Sequence, residues 1–475
     1  MENKPIALDD KLKEACGVFG IFSSMENIHL SRTIFYGLYA LQHRGQESAG
    51  IAVTSGYGID YYKNLGLVSE VFNDDNILDK LQGNIGIGHV RYSTNGANTL
   101  INSQPLVVKY KNGSLAVAHN GNLINALRLR EELEQEGAVF QTTVDSELIA
   151  CLIAQDRSGD IVTAIKSCMS KIKGSYALVI MTENSLIGVR DPYGMRPLSL
   201  GKLNDSWVLT SETCALDTVG AEFVRDVEPG EILIINKDGI RSVMGEKASS
   251  RALCVFEFVY FARPDSNIEG RNVHLARFKA GMNLAKEHPA DADLVIGVPD
   301  SGTVSAMGYA EASGIPFSIG IIKNRYIGRT FIKPSQDLRL IGVTLKLNAL
   351  KEVIKGKRLV MVDDSIVRGT TSGKIVRMLK DAGAKEVHVR ISSPPVTHSC
   401  YFGIDTSSQK ELIGAQQSIE EIRKFIEADS LGYLSLEGLI DSTGIPANNF
   451  CTGCFSGQYP IKVMGDGGKY LYEKC

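Results

Sequence analysis

One stretch near residue 360 constrains the fold more than any other part of this chain, because it predicts three consecutive structural elements. Leu359 to Val362 is a short apolar run, which is typical of a buried parallel strand. Asp363 and Asp364 follow it, and a loop of small hydroxyl residues with Gly369 comes next. Helical spacing of apolar residues then predicts a helix from Ser372 to Ala382. The stretch therefore predicts one unit of a parallel α/β sheet.

The chemistry of this stretch indicates a phosphorylated sugar as its ligand. Backbone N–H groups and the dipole at the helix amino end favour a bound anion such as phosphate. The acidic pair suits a different task, holding hydroxyl groups or a hydrated Mg²⁺ ion. Phosphate and hydroxyl groups together indicate a phosphorylated ribose. The alternative is an ordinary strand–loop–helix turn, which is disfavoured because burying two carboxylates without partners is costly.

The stretch resembles the signature of the type I phosphoribosyltransferases, which bind phosphoribosyl pyrophosphate (PRPP). The resemblance implies that Asp363 and Asp364 contact the ribose hydroxyls and a Mg²⁺ ion. It also implies that the following loop binds the 5′-phosphate, with these candidate residues: Ser365, Arg368, Gly369, Thr370, Thr371 and Ser372. The signature does not name the acceptor, and some proteins that carry it only bind the ligand.

A second turn in this half extends the same resemblance. Strand and helix patterns alternate from about Asp291 onward, which is typical of a mostly parallel sheet, and Phe317 to Ile321 is one of the predicted strands. The turn from Gly297 to Gly302 resembles a pyrophosphate loop, in which Asp300 would contact PRPP and Ser301 would reach the metal ion. Taken alone, such a turn is more often a plain connection between elements.

A basic, glycine-interrupted segment follows, from Lys323 to Pro334. Such a segment is usually a solvated loop, but here it resembles the flexible loop that closes over PRPP. Four cations are then candidates to neutralise the departing pyrophosphate: Lys323, Arg325, Arg329 and Lys333.

Length and charge set the outer bounds of the prediction. A chain of 475 residues predicts two or three domains. The net charge of −3 gives no broad basic field, so we expect neither nucleic acid nor membrane as a partner. The polar amino end lacks the apolar core of a secretory signal, so we expect a cytoplasmic protein. In that compartment, nine cysteines indicate catalysis or metal binding rather than disulfides.

Five short segments in the first half occur in one order. They are Cys16-Gly-Val-Phe-Gly, Gln42-His-Arg-Gly, His89-Val-Arg-Tyr-Ser-Thr, His119-Asn-Gly-Asn and Asp145-Ser-Glu. Together they resemble the glutaminase domain of the class II, amino-terminal-nucleophile glutamine amidotransferases. The resemblance implies a layered αββα fold, and the domains are predicted at residues 16–245 and 246–475, after a propeptide at residues 1–15.

The resemblance implies that the Cys16 thiolate attacks the glutamine carboxamide. A free thiol is mostly protonated at neutral pH and needs a base. An α-amino group, with a pKa of roughly 8, can be that base if Cys16 becomes the first residue. This requires removal of Met1 to Ala15. The alternative is a permanent tail, with Cys16 activated by a side-chain base or inactive.

The remaining glutaminase roles also follow from the resemblance. Asn120 and Gly121 would be the oxyanion donors, Arg91 would bind the glutamine α-carboxylate, and Asp145 would hold the α-ammonium group. Supporting roles are assigned to Arg44 and Thr94. Three histidines are interpreted as structural polar residues, because their spacing forms no metal pattern: His43, His89 and His119.

A C-x₂-C pair near the carboxyl end, Cys451 and Cys454, is open to several interpretations. Alone it could bind zinc, form a redox pair or hold a cluster. With Cys254 and Cys400 it matches the cysteine pattern of those relatives that carry an iron–sulfur cluster, which implies one [4Fe–4S] cluster per subunit. Zinc on the same four thiolates remains an alternative. Packing or surface positions are expected for Cys151, Cys168, Cys214 and Cys475.

The two resemblances together cover nearly the whole chain. They imply an enzyme that converts PRPP, glutamine and water to 5-phosphoribosylamine, pyrophosphate and glutamate in purine synthesis, with one Mg²⁺ per subunit. They also imply a homotetramer that purine nucleotides inhibit. A hexosamine- or asparagine-forming amidotransferase is one alternative, but its second half would lack the acidic pair. A non-enzymatic PRPP-sensing regulator is the other, but it would not need a glutaminase half.

Overall fold

The computed structural model describes residues 16–24, 29–93, 96–324, 347–404 and 409–463. Within this part of the chain, the first half forms two antiparallel sheets and the second half forms a parallel sheet. This is the predicted combination of a layered αββα half and an α/β half. No helix in the described ranges combines the length and apolar character needed to cross a membrane.

The first antiparallel sheet has seven strands, and the strand after Cys16 lies in its centre. Backbone pairing places this strand between Ile85–Arg91 and Ser206–Thr210. The strands in spatial order are Glu222–Asp226, Ser199–Leu203, Ser206–Thr210, Gly17–Ser23, Ile85–Arg91, Ser48–Thr54 and Asp60–Leu65.

The second antiparallel sheet has six strands and contributes the strand that carries Asn120 and Gly121. Its strands in spatial order are Gly239–Met244, Glu231–Asn236, Ser185–Arg190, Gly174–Thr182, Gly113–Leu123 and Leu106–Tyr110. The two sheets face each other across an apolar layer in which Val18 and Ile87 meet Ala118 and Val179. This packing accounts for the unbroken burial of the strand Gly17–Ser23.

Helices cover the outer faces of both sheets. Leu30–Ala40 and Thr213–Val219 pack on the seven-stranded sheet. The other sheet is covered by Ala126–Gln135, Asp145–Gln155 and Ile161–Lys171. Each helix buries one apolar face against a sheet, which produces the four layers of the predicted αββα arrangement.

The parallel sheet of the second half has four strands: Leu294–Gly297, Arg358–Asp363, Glu386–Ile391 and Ser430–Tyr433. Side chains of its central strand alternate between two cores, because Val360 and Val362 face one core while Leu359 and Met361 face the other. One core contains the helices Val273–Glu287, Thr303–Ser313 and Leu436–Thr443, and the other contains Thr370–Asp381 and Ile419–Phe425. Burial on both faces explains the continuous apolar run at this strand.

The predicted strand from Phe317 to Ile321 is wrong. Phe317 makes only an isolated bridge to Val295. The chain then forms a strand at Ile321–Lys323, which pairs with Leu347–Ala349 in a separate antiparallel ladder. The apolar run is therefore divided between two sheets, since its partner strand lies elsewhere in the chain.

A short segment joins the two halves. Leu253–Cys254 pairs in parallel with Phe450–Cys451 near the carboxyl end. A π-helical turn at Glu257–Phe261 follows directly, and such turns occur frequently at functional sites. The remaining short elements are Val68–Val71, Asp75–Lys80, Leu100–Asn102, Asn267–Ile268, Arg271–Asn272, Lys351–Ile354, Gln409–Glu411, Ile413–Gln416, Ala447–Asn449 and Gly453–Ser456.

Candidate functional site

Cys16 lies immediately before the central strand of the seven-stranded sheet and is buried. Its Sγ is 3.3 Å from the carbonyl oxygen of Tyr92 and accepts the Tyr92 N–H at 3.4 Å. Burial raises the pKa of the Cys16 thiol, and the backbone of Tyr92 and the charge of Arg91 offset this effect only in part. The thiol is therefore protonated near pH 7 and needs a base to become a nucleophile.

Asn120 and Gly121 lie side by side on the strand Gly113–Leu123. Asn120 is fully buried, and neither atom of its side-chain amide has a hydrogen-bond partner among the described residues. A buried polar group without a partner is costly, so this amide suits an oxygen that arrives with a substrate. Only glycine fits at position 121, because a Cβ atom would lie 2.1 Å from the carbonyl oxygen of Ser175.

Three charged groups lie close enough to Cys16 to affect the pKa of its thiol: Arg91 lowers it, whereas Glu47 and Asp145 raise it. Arg91 and Asp145 are the two that the sequence predicted. Arg91 ends a strand of the seven-stranded sheet, whereas Asp145 begins a helix on the other sheet. Both side chains are nearly fully buried. The fold therefore brings the predicted nucleophile, cation and anion together from three separate segments.

Local contacts keep the Asp145 carboxylate charged. One of its oxygens accepts the Leu123 N–H at 2.9 Å, and the other lies 3.4 Å from His119 Nδ1. Burial alone would raise the pKa of Asp145, but His119 and the Leu123 N–H more than offset it, so the pKa lies below its ordinary value. Asp145 is thus a fixed negative charge in the first half of the chain.

The other two histidines have contacts that need no catalytic role. Burial lowers the pKa of His89 to about 3, so its ring is neutral, and its Nε2 lies 3.0 Å from the carbonyl oxygen of His119. This contact ties the two antiparallel sheets together. His43 contacts the carboxylate of Glu212 at 2.8 Å and the carbonyl oxygen of Ala40 at 3.2 Å.

A buried charge network behind Cys16 is not predicted by the sequence motifs. Arg44 Nε donates to the carbonyl oxygen of Cys16 at 3.1 Å, and its terminal nitrogens donate to Glu257 at 2.9 Å and also reach Glu212. Arg196 donates to Glu257 at 3.0 Å. Burial would raise the pKa of both carboxyl groups, but their basic neighbours more than offset it and lower the pKa. Arg44 was the only member expected to support the site.

The carboxyl edge of the parallel sheet gathers the second set of predicted residues. Asp363 ends the strand Arg358–Asp363, Asp364 follows it, and both are buried. The Asp363 carboxylate accepts the Asp364 N–H at 2.9 Å, and the Asp364 carboxylate accepts the Ser365 hydroxyl at 2.6 Å. Two adjacent buried carboxylates repel each other and provide hard oxygen ligands, so this pair fits a Mg²⁺ ion.

The loop after the acidic pair ends at a helix amino terminus, as predicted. The helix Thr370–Asp381 begins two residues before the expected start at Ser372. Gly369 has a φ of +81°, a left-handed conformation that favours glycine. Arg368 forms an ion pair with Glu411 at 2.8 Å.

The predicted pyrophosphate turn lies beside this loop. The Val298 N–H donates to the carbonyl oxygen of Val362 at 2.9 Å. A Cβ atom at Gly302 would lie 2.3 Å from that same oxygen, so the close approach of the two turns requires glycine. Lys323 Nζ lies 2.8 Å from the Asp300 carboxylate. Ser301 precedes the helix Thr303–Ser313. Several predicted positions fall outside the described residues: residues 1–15, Thr94, Arg325, Arg329, Lys333 and Cys475.

Four cysteines from three distant segments line one cavity. Cys254 and Cys451 lie opposite each other in the parallel ladder. The complete lining is Met195, Cys254, Cys400, Phe402, Ile404, Cys451, Cys454 and Tyr459. Cysteines that lie up to about two hundred positions apart in the sequence are therefore neighbours in the fold.

The cavity suits a group that binds thiolates, although it does not show a formed ligand set. Burial raises the pKa of all four thiols, to about 12 for Cys254, so they carry protons unless a metal centre displaces them. Within the described ranges, no group of three or more His, Cys, Asp or Glu side chains is arranged to hold a metal ion. The four-cysteine chemistry fits iron–sulfur or zinc.

Two parts of the chain match known domain families. Residues 89–218 match a glutamine amidotransferase domain, and residues 272–392 match a phosphoribosyl transferase domain. The first match includes Asn120 and Asp145, and the second includes Asp363 and Asp364. The matches therefore overlap with both sites described above, although Cys16 lies before the first matched range.

Relatives and solved structures resemble the chain over almost its full length. Amidophosphoribosyltransferase of Bacillus subtilis (strain 168) is 52% identical over 460 residues, which cover 96% of both chains. The enzyme of that name from Methanothermobacter thermautotrophicus is 47% identical over 464 residues, 97% of this chain and 98% of the relative.

Two solved structures agree with these relatives. One, described as an allosteric regulatory enzyme of purine biosynthesis, has a TM-score of 0.90 at 51% identity and covers 95% of this chain and 97% of its own. The other is glutamine PRPP amidotransferase from B. subtilis complexed with ADP and GMP. It has a TM-score of 0.90 at 52% identity and covers 95% of this chain and 98% of its own. Since half of all positions are identical along nearly the whole length, the chain belongs to the amidophosphoribosyltransferase family.

Proposed function

We propose that this chain catalyses the first step of de novo purine synthesis, converting PRPP, glutamine and water to 5-phosphoribosylamine, pyrophosphate and glutamate. One observation carries the proposal. The first half of the chain contains a buried cysteine and a buried amide without a hydrogen-bond partner among the described residues, and the second half contains an acidic pair before a helix amino terminus. The first arrangement suits the release of ammonia from an amide, and the second suits PRPP.

In the glutaminase half, maturation at Cys16 would release its α-amino group as the base. This amine takes the thiol proton while Sγ attacks the carboxamide carbon of glutamine. The side-chain N–H of Asn120 and the backbone N–H of Gly121 then stabilise the oxyanion. The protonated α-amino group returns the proton to the leaving nitrogen, so that ammonia departs, and water then hydrolyses the thioester to give glutamate and the free thiol. The raised pKa of the buried thiol and the unpaired Asn120 amide support these roles.

Arg91 and Asp145 would orient the substrate for this attack. The guanidinium group of Arg91 pairs with the α-carboxylate of glutamine, and the Asp145 carboxylate pairs with the α-ammonium group. Support comes from their opposite charges, their burial and their effect on Cys16. The two charges recognise a zwitterion, so the site favours a free amino acid over a peptide.

In the second half, Asp363 and Asp364 would hold the ribose hydroxyls while the loop from Ser365 to Ser372 holds the 5′-phosphate. Asp300 and Lys323 would exchange their mutual ion pair for contacts with PRPP. A Mg²⁺ ion bound by Ser301, Asp363 and Asp364, one per subunit, would neutralise the pyrophosphate and ease its departure. Ammonia attacks the ribose C1 atom, and an internal passage between the sites keeps it unprotonated.

We further propose that Cys254, Cys400, Cys451 and Cys454 hold one [4Fe–4S] cluster per subunit. When bound, the cluster would tie the segment that joins the two halves to the carboxyl end. The shared cavity and the cysteine chemistry support this proposal. Zinc is the competing occupant, and iron and sulfide analysis of purified protein distinguishes the two.

The remaining properties of the family are also proposed for this chain. They are a homotetramer, inhibition by purine nucleotides, a cytoplasmic location, and domains at residues 16–245 and 246–475. A relative's structure contains ADP and GMP, which supports nucleotide regulation. The described sheets of the first half end at Met244, which supports the boundary.

One assay tests the proposed reaction. Matured protein is incubated with glutamine, PRPP and Mg²⁺, and glutamate and pyrophosphate are measured together. We expect the two products to appear in equal amounts, and pyrophosphate release to stop when PRPP or Mg²⁺ is omitted. Glutamate formation without any pyrophosphate when PRPP and Mg²⁺ are both present would contradict the proposal.

A further inference from the structure

Arg196 is a fully buried arginine that borders the four-cysteine cavity, next to its lining residue Met195. Its terminal nitrogens donate to Glu257 at 3.0 Å and to the carbonyl oxygen of Phe402 at 2.6 Å. Its Nε atom has no hydrogen-bond partner among the described residues. Phe402, whose carbonyl oxygen accepts from Arg196, is itself one of the residues that line the cavity. A buried donor that lacks a partner next to a cavity lined by four cysteines is suited to an anionic sulfur centre.

On its other side, Arg196 reaches the nucleophile through two ion pairs. Glu257 accepts from Arg196 and from both terminal nitrogens of Arg44. The Nε of Arg44 donates to the carbonyl oxygen of Cys16 at 3.1 Å. All of these side chains are buried, so the interactions are little screened by water. A continuous chain of contacts thus joins the cavity wall to the backbone of Cys16.

A second connection runs through the backbone around Cys400. The carbonyl oxygen of Phe402 also accepts the Ser175 hydroxyl at 2.7 Å. That of Tyr401 accepts the side chain of Asn122 at 2.8 Å. A Cβ atom at Gly403 would lie 3.1 Å from Gly121. The segment that carries one cavity cysteine therefore packs directly on the strand with the proposed oxyanion donors.

We propose that Arg196 is a positioning residue, which couples a sulfur-ligated centre in the four-cysteine cavity to the geometry of Cys16. The inference rests on the proposed occupancy of the cavity. Arg196 acts on the centre as a positive charge and hydrogen-bond donor, and on Cys16 through Glu257 and Arg44. Because each link is a hydrogen bond between planar, buried groups, a displaced guanidinium group at one end displaces its partners.

The coupling predicts two effects of one substitution. Arg196→Gln removes a positive charge beside the centre, so the midpoint potential of the centre becomes more negative. It also leaves Glu257 with one partner fewer, so Cys16 is less well placed. Misplacement of a nucleophile lowers kcat more than it changes KM, and we expect a loss of about tenfold or more in glutamine-dependent kcat.

The experiment compares four purified, matured proteins: wild type, Arg196→Gln, Arg196→Lys and the control Arg225→Gln. Arg225 makes an ion pair with Glu231 and does not line the cavity, so the control removes an arginine ion pair elsewhere. Iron content, the midpoint potential from an EPR-monitored titration, and kcat and KM for glutamine are measured. The ammonia-dependent rate, which does not use Cys16, detects general misfolding.

The proposal predicts that Arg196→Gln shifts the potential and lowers kcat together, while KM for glutamine changes less than kcat. Arg196→Lys keeps the positive charge but loses the planar guanidinium group. Its midpoint potential and its kcat are therefore expected to lie between those of Arg196→Gln and wild type. If Arg196→Gln does not fold, the midpoint potential and kcat of Arg196→Lys are compared with those of wild type instead.

The coupling is overturned if Arg196→Gln shifts only the midpoint potential, lowers only kcat, or changes neither. Iron-free wild-type protein overturns both the coupling and the cluster proposal. Glutamine-dependent pyrophosphate release in the same preparation tests the proposed enzyme activity separately.

Discussion

The site around Cys16 and the carboxyl edge of the parallel sheet differ in how their charged and polar groups are arranged before a substrate binds. Around Cys16, Arg91 and Asp145 are buried and the amide of Asn120 has no partner among the described residues. At the sheet edge, Asp363 and Asp364 are also buried. Other charged groups at this edge form ion pairs near the surface, Lys323 with Asp300 and Arg368 with Glu411. The first site is organised before its substrate arrives, whereas the second must exchange partners to bind one.

This difference follows from where charge appears in each reaction. Thioester formation creates a negative oxygen only in the transition state, so donors fixed in advance are most effective. PRPP carries its charges before it binds. Exposed ion pairs, worth roughly 0–1 kcal/mol, cost little to open for such a ligand. The comparison therefore predicts which substitutions affect catalysis and which affect affinity.

The largest effect is expected for Asp364→Asn. The amide keeps the size of the side chain and can still accept the Ser365 hydroxyl, but it removes a charge from the proposed Mg²⁺ and ribose site. We expect glutamine- and ammonia-dependent pyrophosphate release to fall by about 1,000-fold or more, since metal stabilisation is worth several kcal/mol. Hydrolysis of glutamine without PRPP serves as the control and is expected to remain. A variant that retains both PRPP-dependent rates would show that the acidic pair is not at the reaction centre.

A smaller effect, with no cost in stability, is expected for Asn120→Ala. Loss of one oxyanion donor lowers kcat by about 100- to 1,000-fold, so the glutamine-dependent rate falls while the ammonia-dependent rate persists. The free energy of unfolding is expected not to decrease, because the amide has no partner to lose and its burial without one is costly.

Asn122→Ala is the matched control on the same strand. The Asn122 side chain donates to the carbonyl oxygen of Tyr401 at 2.8 Å, so its loss should reduce the free energy of unfolding by about 1 kcal/mol. Chemical denaturation of both variants checks the contrast. Greater destabilisation by Asn120→Ala than by Asn122→Ala would mean that the Asn120 amide has a structural partner.

The smallest effect is expected for Lys323→Ala. Loss of a charge-assisted contact should raise KM for PRPP by about tenfold, with kcat less affected. Its ion pair with Asp300 is exposed, so the unfolding transition should not move. Arg128→Ala removes a comparable exposed pair with Glu132 in the other half and should change neither quantity. An unchanged KM for Lys323→Ala would remove this residue from the proposed PRPP site.

The sequence predicted the fold class because its strongest signals are local. The apolar run at Leu359 to Val362 is continuous since the strand is buried on both faces, and the predicted αββα plus α/β arrangement is confirmed. The predicted strand from Phe317 to Ile321 was wrong, because the strand that forms here pairs with a segment beyond residue 346. The roles of the individual site residues remain predictions.

The charge network was beyond sequence reasoning for a similar reason. Arg44 and Glu257 are 213 positions apart, and neither segment carries a local pattern that indicates the other. Arg196 lies in a turn-rich segment from Asp191 to Pro197, which resembles the amidotransferase family in sequence but carries no pattern that indicates an ion pair with Glu257. Buried ion pairs between distant segments depend on tertiary packing, which residue spacing does not encode.

The central claim, that ammonia made at Cys16 reacts at a separate PRPP site, is tested most directly by Cys16→Ala. Pyrophosphate release is measured with glutamine and, separately, with added ammonia at a pH where enough of it is unprotonated. The account predicts complete loss of the glutamine-dependent rate and an ammonia-dependent rate close to that of wild type. Full glutamine-dependent activity, or loss of the ammonia-dependent rate in a folded variant, would contradict it.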